Sequence, residues 1–197
     1  MEVFVYILLI LTSVVGLTFI VERGLALRWK KVVPPEIESA VDACQTRADT
    51  EHLKRVCHKH PSPLGRLLLL TVERLSWPKE ENADALQTRA RNEIVKLERG
   101  LVVLEIIVGI APLLGLVGTI LGMMDTFRNV GEMGMSDAAR LAGGIALILK
   151  ATLIGLLIAI PALVFWSYYT KKVENIAVEM ETLCDELLRR LYRQDGN

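Results

Sequence analysis

The segment that decides the fold runs from Ile106 to Met124 and reads IIVGIAPLLGLVGTILGMM. It holds no charged residue, and Glu105 and Asp125 bound it on its two sides. At a rise of about 1.5 Å per residue, a helix of this length reaches about 28 Å, close to the roughly 30 Å hydrocarbon layer of a bilayer. Buried helices of soluble proteins rarely run this far without a charge. The segment therefore predicts a membrane-spanning helix.

Two further segments have the same character. Val3–Val21 is equally long and free of charge, and the longer segment Leu141–Thr170 contains Lys150 as its single charge. Of the 46 charged residues, 28 lie in 22–105 and 11 lie in 171–197. This segregation excludes an ordinary soluble globule. The sequence predicts an all-α membrane protein in contact with the lipid bilayer, a single domain over 1–197 with transmembrane helices at 3–21, 106–124 and 141–170.

Lysine and arginine near the span ends predict the orientation of the chain. The connection 125–140 holds only two such residues, whereas six flank the first and third spans: Arg23, Arg28, Lys30, Lys31, Lys171 and Lys172. The N-terminus and the 125–140 loop are therefore expected outside, and the 22–105 loop and the 171–197 tail in the cytoplasm. The first span lacks a basic n-region and a cleavage-site pattern, so we expect it to be retained rather than removed.

The cytoplasmic segments are predicted to be helices that prolong the spans. Helical patterns appear near 36–58 and 64–77, and prolines separate them. A third pattern, from about Asn82, places apolar residues at helical spacing and runs directly into the second span. The tail continues the third span without a Gly or Pro, and its apolar residues form one stripe: Val173, Ile176, Met180, Leu183, Leu187 and Leu191.

Small residues at intervals of three or four form a face on each of the last two spans. Such faces let helices approach closely in lipid. They are compatible with a compact three-helix protomer or with packing between copies of the chain, and they modestly favour an oligomer. The second span carries Ala111, Gly115, Gly118 and Gly122, and the third carries Gly144, Ala151, Gly155, Ala159 and Ala162.

Five other residues of the second and third spans are candidates for a structural or functional role in the membrane. Pro112 and Pro161 are predicted to kink their helices, because proline frees a backbone carbonyl. By spacing alone, Thr119 and Thr152 more often bond back to their own helix than line a pore. Lys150 lies well inside its span, where a charge is costly, so it should face protein or water.

No catalytic constellation is present, which argues against an enzyme, and no cofactor is implied. The one cluster that resembles a metal site matches no standard zinc spacing and is interpreted as a polar loop: His52, Cys57, His58 and His60, with Cys44 upstream. A net charge of zero without a basic run argues against a nucleic-acid binder. Cys44, Cys57 and Cys184 are expected to be thiols on the cytoplasmic side.

Several short motifs resemble those of the MotA/TolQ/ExbB proton-channel family. LERGL at 97–101, APLLGLVGT at 111–119 and Gly122-Met123 look like its second membrane helix. GIA at 144–146, Ala151-Thr152 and AIPA at 159–162 look like its third, and Glu22-Arg23 fits the segment after its first. The three spans also occur in the family's order, with a large loop between the first two.

This resemblance implies a function. Members similar to ExbB and TolQ form homopentamers in the bacterial inner membrane, and their second and third helices line a central channel. An ExbD- or TolR-like single-span partner, in two copies, carries a membrane Asp inside that channel. The complex converts proton-motive force into work on the cell envelope, and Thr119 and Thr152 fall on the channel-lining threonines. Three spans favour the ExbB/TolQ branch over the four-span MotA branch.

The sequence departs from the family pattern at one place. Many ExbB- and TolQ-like proteins carry a Glu directly after the GIA motif, where this chain has Leu147. A charge of opposite sign, Lys150, follows one turn later, about 60° around the helix. This change leaves open whether the ion is H⁺ or Na⁺, and it supports an alternative: a non-conducting membrane scaffold of the same fold.

Overall fold

A computed structural model describes residues 2–133 and 138–193. The described residues contain helices, turns and short loops and no β-strand, which confirms the all-α prediction. The helices are α1 (Glu2–Ala26), α2 (Trp29–Val32), α3 (Pro35–Ala43), a 3-10 helix (Arg47–Asp49), α4 (Thr50–Lys59), α5 (Pro63–Glu73), α6 (Lys79–Glu98), α7 (Leu101–Met133) and α8 (Ala138–Arg193).

Three of these helices are long and apolar enough to cross a membrane, as predicted: their candidate spans are Val3–Ala26, Leu101–Arg128 and Ile148–Arg193. Each helix extends beyond its predicted span, because a helix does not have to end where the hydrocarbon ends. Much of the predicted loop 125–140 is therefore helical, since α7 reaches Met133 and α8 begins at Ala138.

The chain divides into two compact units, each assembled from two segments. The first unit, called the membrane unit below, comprises the chain up to Arg23 together with Gly100–Tyr168. A small core lies among its helices, where α1 supplies Val15, α7 supplies Ile107 and Ala111, and α8 supplies Ala159 and Ala162.

The second unit, called the charged unit below, comprises Gly24–Arg99 and the chain from Tyr169 onward. Its core is larger and is built by α2 to α6 and the end of α8. The structure buries all six members of the predicted tail stripe, with exposures between 0% and 6%. Tyr192 links the end of α8 to the segment at the start of α6. Its hydroxyl donates to the Trp77 carbonyl at 2.8 Å and accepts from Asn82 Nδ2 at 3.1 Å.

Helix boundaries in the charged unit differ from the predicted ones at two places. The pattern near 36–58 is divided after Ala43, because Thr46 and Asp49 form a capping box that starts a new helix. The predicted run from Asn82 into the second span is interrupted by Arg99 and Gly100, which lie between α6 and α7.

Candidate functional site

Helices α7 and α8 make backbone-to-backbone contact inside the membrane unit. A Cβ atom placed on Gly155 would lie 2.5 Å from the Ala111 carbonyl oxygen and 3.3 Å from the Gly115 Cα. A Cβ on Gly115 would lie 2.8 Å from both the Ala151 carbonyl oxygen and the Thr152 Cα. The helices can approach this closely only because no side chain separates them.

The neighbouring glycines join the first helix to this contact. A Cβ on Gly118 would lie 2.8 Å from the Ala151 Cβ and 3.2 Å from Val5 Cγ1. Gly122, one turn further, is buried, and its carbonyl accepts the Thr126 hydroxyl at 3.0 Å. The small-residue faces of α7 and α8 thus contact one another within a single chain. Their presence alone therefore does not require a second copy.

The two candidate channel threonines belong to the two helices that make this contact, Thr119 to α7 and Thr152 to α8. Thr119 is buried, and its hydroxyl donates to the Leu116 carbonyl at 2.6 Å. Thr152 is half-buried, and its Cα lies opposite Gly115. A threonine hydroxyl that donates within its own helix keeps lone pairs on its oxygen, so Thr119 can still accept a hydrogen bond from water or from a protonated group.

The two prolines lie next to the close contact, inside helices that continue past them. Pro112 is half-buried and directly follows the buried Ala111 in α7. Pro161 is exposed in α8, between the buried Ala159 and Ala162. Because proline has no N–H, each helix lacks one interior hydrogen bond at a point close to where the two helices meet.

Lys150 has an exposed side chain in the single chain, whereas its neighbour Ala151 is buried against α7. Successive helical residues differ by about 100°, so Lys150 lies on the flank of the contact. Leu147 belongs to α8, and its side chain lies outside the described part of the structure.

The structure brings together two motif segments that are far apart in sequence. The Arg23 side chain, 15% exposed, packs on Gly100, where a Cβ would collide with its guanidinium group. Its Nε donates to Glu22 Oε2 at 2.7 Å. A side chain at position 100 would therefore require the Arg23 side chain to move.

Sequence reasoning missed a buried carboxylate in the charged unit. The Glu93 side chain is 1% exposed and forms ion pairs with Arg66 of α5 and, within α6, with Lys96 at 2.9 Å and Arg89 at 3.6 Å. Burial alone would raise the pKa of Glu93, but the hydrogen bonds and charges of Arg66 and Lys96 outweigh it and lower the pKa from 4.5. The sequence does show this acidic residue three positions after Ala90, on the apolar face of α6 that includes Leu86 and Ala90.

The cysteines and histidines do not form a metal site in the part of the chain that is described. No group of three His, Cys, Asp or Glu residues there has metal-binding geometry. All three cysteines are buried free thiols. Burial raises the pKa of the Cys57 thiol to about 11, so this thiol is unreactive at neutral pH.

Comparison with known proteins identifies similar chains. Residues 60–182 match the model of the MotA/TolQ/ExbB proton channel family. An ExbB-like biopolymer transport protein of Synechocystis sp. is 35% identical over 79% of this chain, which spans 62% of that protein. ExbB of Aquifex aeolicus is 30% identical over 60% of this chain and 80% of its own length.

A relative from the Tol-Pal system covers the greatest share of the chain among these three. TolQ of Pseudomonas aeruginosa is 29% identical over 94% of this chain and 85% of its own length. The family match includes all of α7 and the apolar part of α8, where the close contact and both candidate threonines lie. On this evidence, the chain belongs to the MotA/TolQ/ExbB proton channel family.

Proposed function

We propose that this chain is the channel subunit of an inner-membrane motor driven by proton-motive force. In this proposal it forms a homopentamer around two copies of an ExbD/TolR-like single-span partner. The complex couples ion flow to work on the cell envelope. The observation that carries the proposal is the family match across α7 and α8, the two helices that contact each other closely and that each carry one of the candidate threonines.

Thr119 and Thr152 are proposed to line the ion path. A hydroxyl both donates and accepts, so it can hold water or relay a proton beside a membrane carboxyl of the partner. The internal bond from Thr119 to Leu116 fixes the direction of its proton, which leaves the oxygen as an acceptor toward the path.

The proposed orientation has the N-terminus in the periplasm and the 22–105 loop and 171–197 tail in the cytoplasm. Its support is the excess of Lys and Arg that follows the first and third spans. The long cytoplasmic helical extensions then belong to α6 and the end of α8, whose buried stripe packs within the charged unit.

Replacing both threonines with valine tests the ion path. Thr119→Val and Thr152→Val keep the side-chain shape and remove the hydroxyls, so proton flux into liposomes that contain the subunit and its partner should fall by at least about tenfold while assembly survives. Thr18→Val is the matched control, because Thr18 in α1 also donates to a carbonyl of its own helix, that of Val14 at 2.8 Å. Unchanged flux in the double variant would contradict the channel role.

Lys150 is proposed to contribute to packing and assembly. It lies about 200° around α8 from Thr152 and is exposed in the single chain, so it is available to a neighbouring helix. Lys150→Met keeps the length and removes the charge. We expect weaker oligomers or little change, with ion preference retained. A variant that assembled normally and conducted a different ion would contradict this assignment.

A second candidate, the non-conducting scaffold, is favoured by the replacement of the common Glu with Leu147 and by the nearby Lys150. Native mass spectrometry together with flux measurements separates the two. A pentamer with a bound partner that conducts supports the motor. A pentamer that never conducts supports the scaffold. A stable monomer, or a different symmetry, would contradict both.

A further inference from the structure

A basic cavity lies near the end of the first membrane helix. It has a volume of about 520 Å³ and is lined by Lys30, Lys31, Pro34, Pro35, Glu36, Lys59, His60 and Pro61. This volume is within the range of about 300–1,000 Å³ that is typical of small-ligand sites. The lining contains three lysines and only one carboxylate, that of Glu36. This excess of positive charge favours an anionic ligand.

The cavity is formed by two segments, 30–36 and 59–61, that the fold brings together. Lys30 and Lys31 belong to α2, whereas Lys59 is the last residue of α4. Val32 and Val33, 1% and 0% exposed, anchor the first segment in the core of the charged unit. The second segment is held by Ser62, which caps α5 by accepting from the Gly65 N–H at 3.0 Å.

Part of the cavity lining follows the first membrane helix closely in sequence. Lys30 and Lys31 closely follow the end of α1 at Ala26. Trp29, directly before them, is 41% exposed, and tryptophan is enriched at the level of lipid headgroups. Sequence proximity to α1 and the exposed Trp29 favour an anion that belongs to the bilayer itself, and an anionic phospholipid has this character.

We propose that this cavity binds the phosphate of an anionic phospholipid headgroup. The three ammonium groups would neutralise the phosphate, and the proline-lined walls would hold the headgroup without a large loss of side-chain freedom. This site is independent of the ion path and would operate in a conducting or a non-conducting assembly.

Lipid titration followed by native mass spectrometry tests the proposal on the full chain. The probe is phosphatidylglycerol, and phosphatidylcholine is the zwitterionic comparison. Each lysine near an anionic lipid contributes about fivefold to affinity. We therefore expect Lys30→Gln, Lys31→Gln and Lys59→Gln in combination to raise the Kd for phosphatidylglycerol by at least about 50-fold. Restoring the charges as Lys→Arg should recover most of the affinity.

A charge-matched control removes the same net charge elsewhere in the charged unit. Lys54→Gln, Lys79→Gln and Arg91→Gln in combination should change the Kd by less than about twofold. Thermal unfolding of the two triple variants shows whether either has lost its fold. Equal weakening by both triples, or no weakening by the cavity triple, would overturn the proposal.

Two further measurements distinguish the lipid from a free anion. A photoreactive phosphatidylglycerol should label peptides that contain 29–36 and 59–61. Labelling confined to other peptides would contradict the site. Glycerol 3-phosphate and inorganic phosphate should compete weakly, because neither is anchored in the bilayer. Competition by either at the concentration at which the lipid binds would overturn the assignment to a membrane lipid.

Discussion

The close contact of α7 and α8 predicts a graded response to single Gly→Ala substitutions. Ordinary van der Waals contact begins at about 3.4 Å, and a Cβ on Gly155 would lie 2.5 Å from a backbone oxygen that cannot rotate away. The helices would have to separate by about 0.9 Å. Overpacking of this kind costs about 1–3 kcal/mol, and the higher helix propensity of alanine returns only about 0.5–1 kcal/mol.

The membrane unit supplies its own controls for this series. A Cβ on Gly109 would meet nothing within 4 Å, and one on Gly16 would lie 3.5 Å from Ile107. Thermal unfolding in detergent should therefore show Gly109→Ala and Gly16→Ala at or above the stability of the parent chain. Gly155→Ala should unfold at a clearly lower temperature.

A compensating substitution sharpens the test. The nearest obstacle at Gly118 is the Ala151 Cβ, a side-chain atom, so Gly118→Ala should be destabilising alone and restored in part by Ala151→Gly. Gly155→Ala faces a carbonyl oxygen of the backbone, and no change at Ala111 should restore it. Equal stability of Gly155→Ala and Gly109→Ala, or rescue of Gly155→Ala by Ala111→Gly, would refute the backbone contact.

Three predictions concern the charged unit. Glu93→Gln should destabilise the charged unit by about 1–3 kcal/mol at neutral pH. We expect a value near the lower end of this range, because Arg66 and Lys96 are half-exposed and solvent screens their charges. Since the folded pKa of Glu93 is lowered, this contribution is present above pH 4.5 and is lost as the pH falls through the folded pKa. The difference between parent and variant in thermal unfolding should therefore shrink in acid, and a constant difference would contradict this. Tyr192→Phe removes the donor to Trp77 and should cost about 1 kcal/mol, read as faster proteolysis of the tail; unchanged cleavage would count against that bond. Cys57 should resist iodoacetamide at pH 8 until the chain unfolds, because burial raises its pKa to about 11; rapid labelling of the folded chain would contradict its burial.

The three long helices could be predicted because their signal is local. A long run of uncharged residues can be recognised without knowing what surrounds it. A membrane span requires mainly sufficient length and apolar side chains, in almost any order. The buried stripe of the tail could be predicted for a similar reason, since its spacing alone places the apolar residues on one face.

The breaks between helices depended on shorter signals. The Thr46 to Asp49 spacing is that of a capping box, which outweighed the helical pattern on both sides of it. Gly100 was visible in the sequence, but its contact with the Arg23 guanidinium appears only in the folded membrane unit. No local pattern relates positions 23 and 100.

In the candidate site too, some features could be predicted from local sequence and others depend on the fold. The spacing of small residues predicted a close-packing face on α7 and another on α8. It could not show that these two faces contact each other within one chain. Glu93 occupies a stripe position where an acidic residue is unexpected. Its partner Arg66 lies 27 residues earlier on another helix, a pairing that only the fold defines.

The glycine contact also has a mechanical consequence. Where side chains interdigitate, two helices can slide by changing rotamers, but a contact between backbones has no rotamers to change. We therefore expect α7 and α8 to move together where Gly115 and Gly155 lie in the contact, with little sliding of one helix along the other. Bending of this pair is expected at Pro112 and Pro161, where a hydrogen bond is missing, so the compliance of the membrane unit is concentrated at two points along its length.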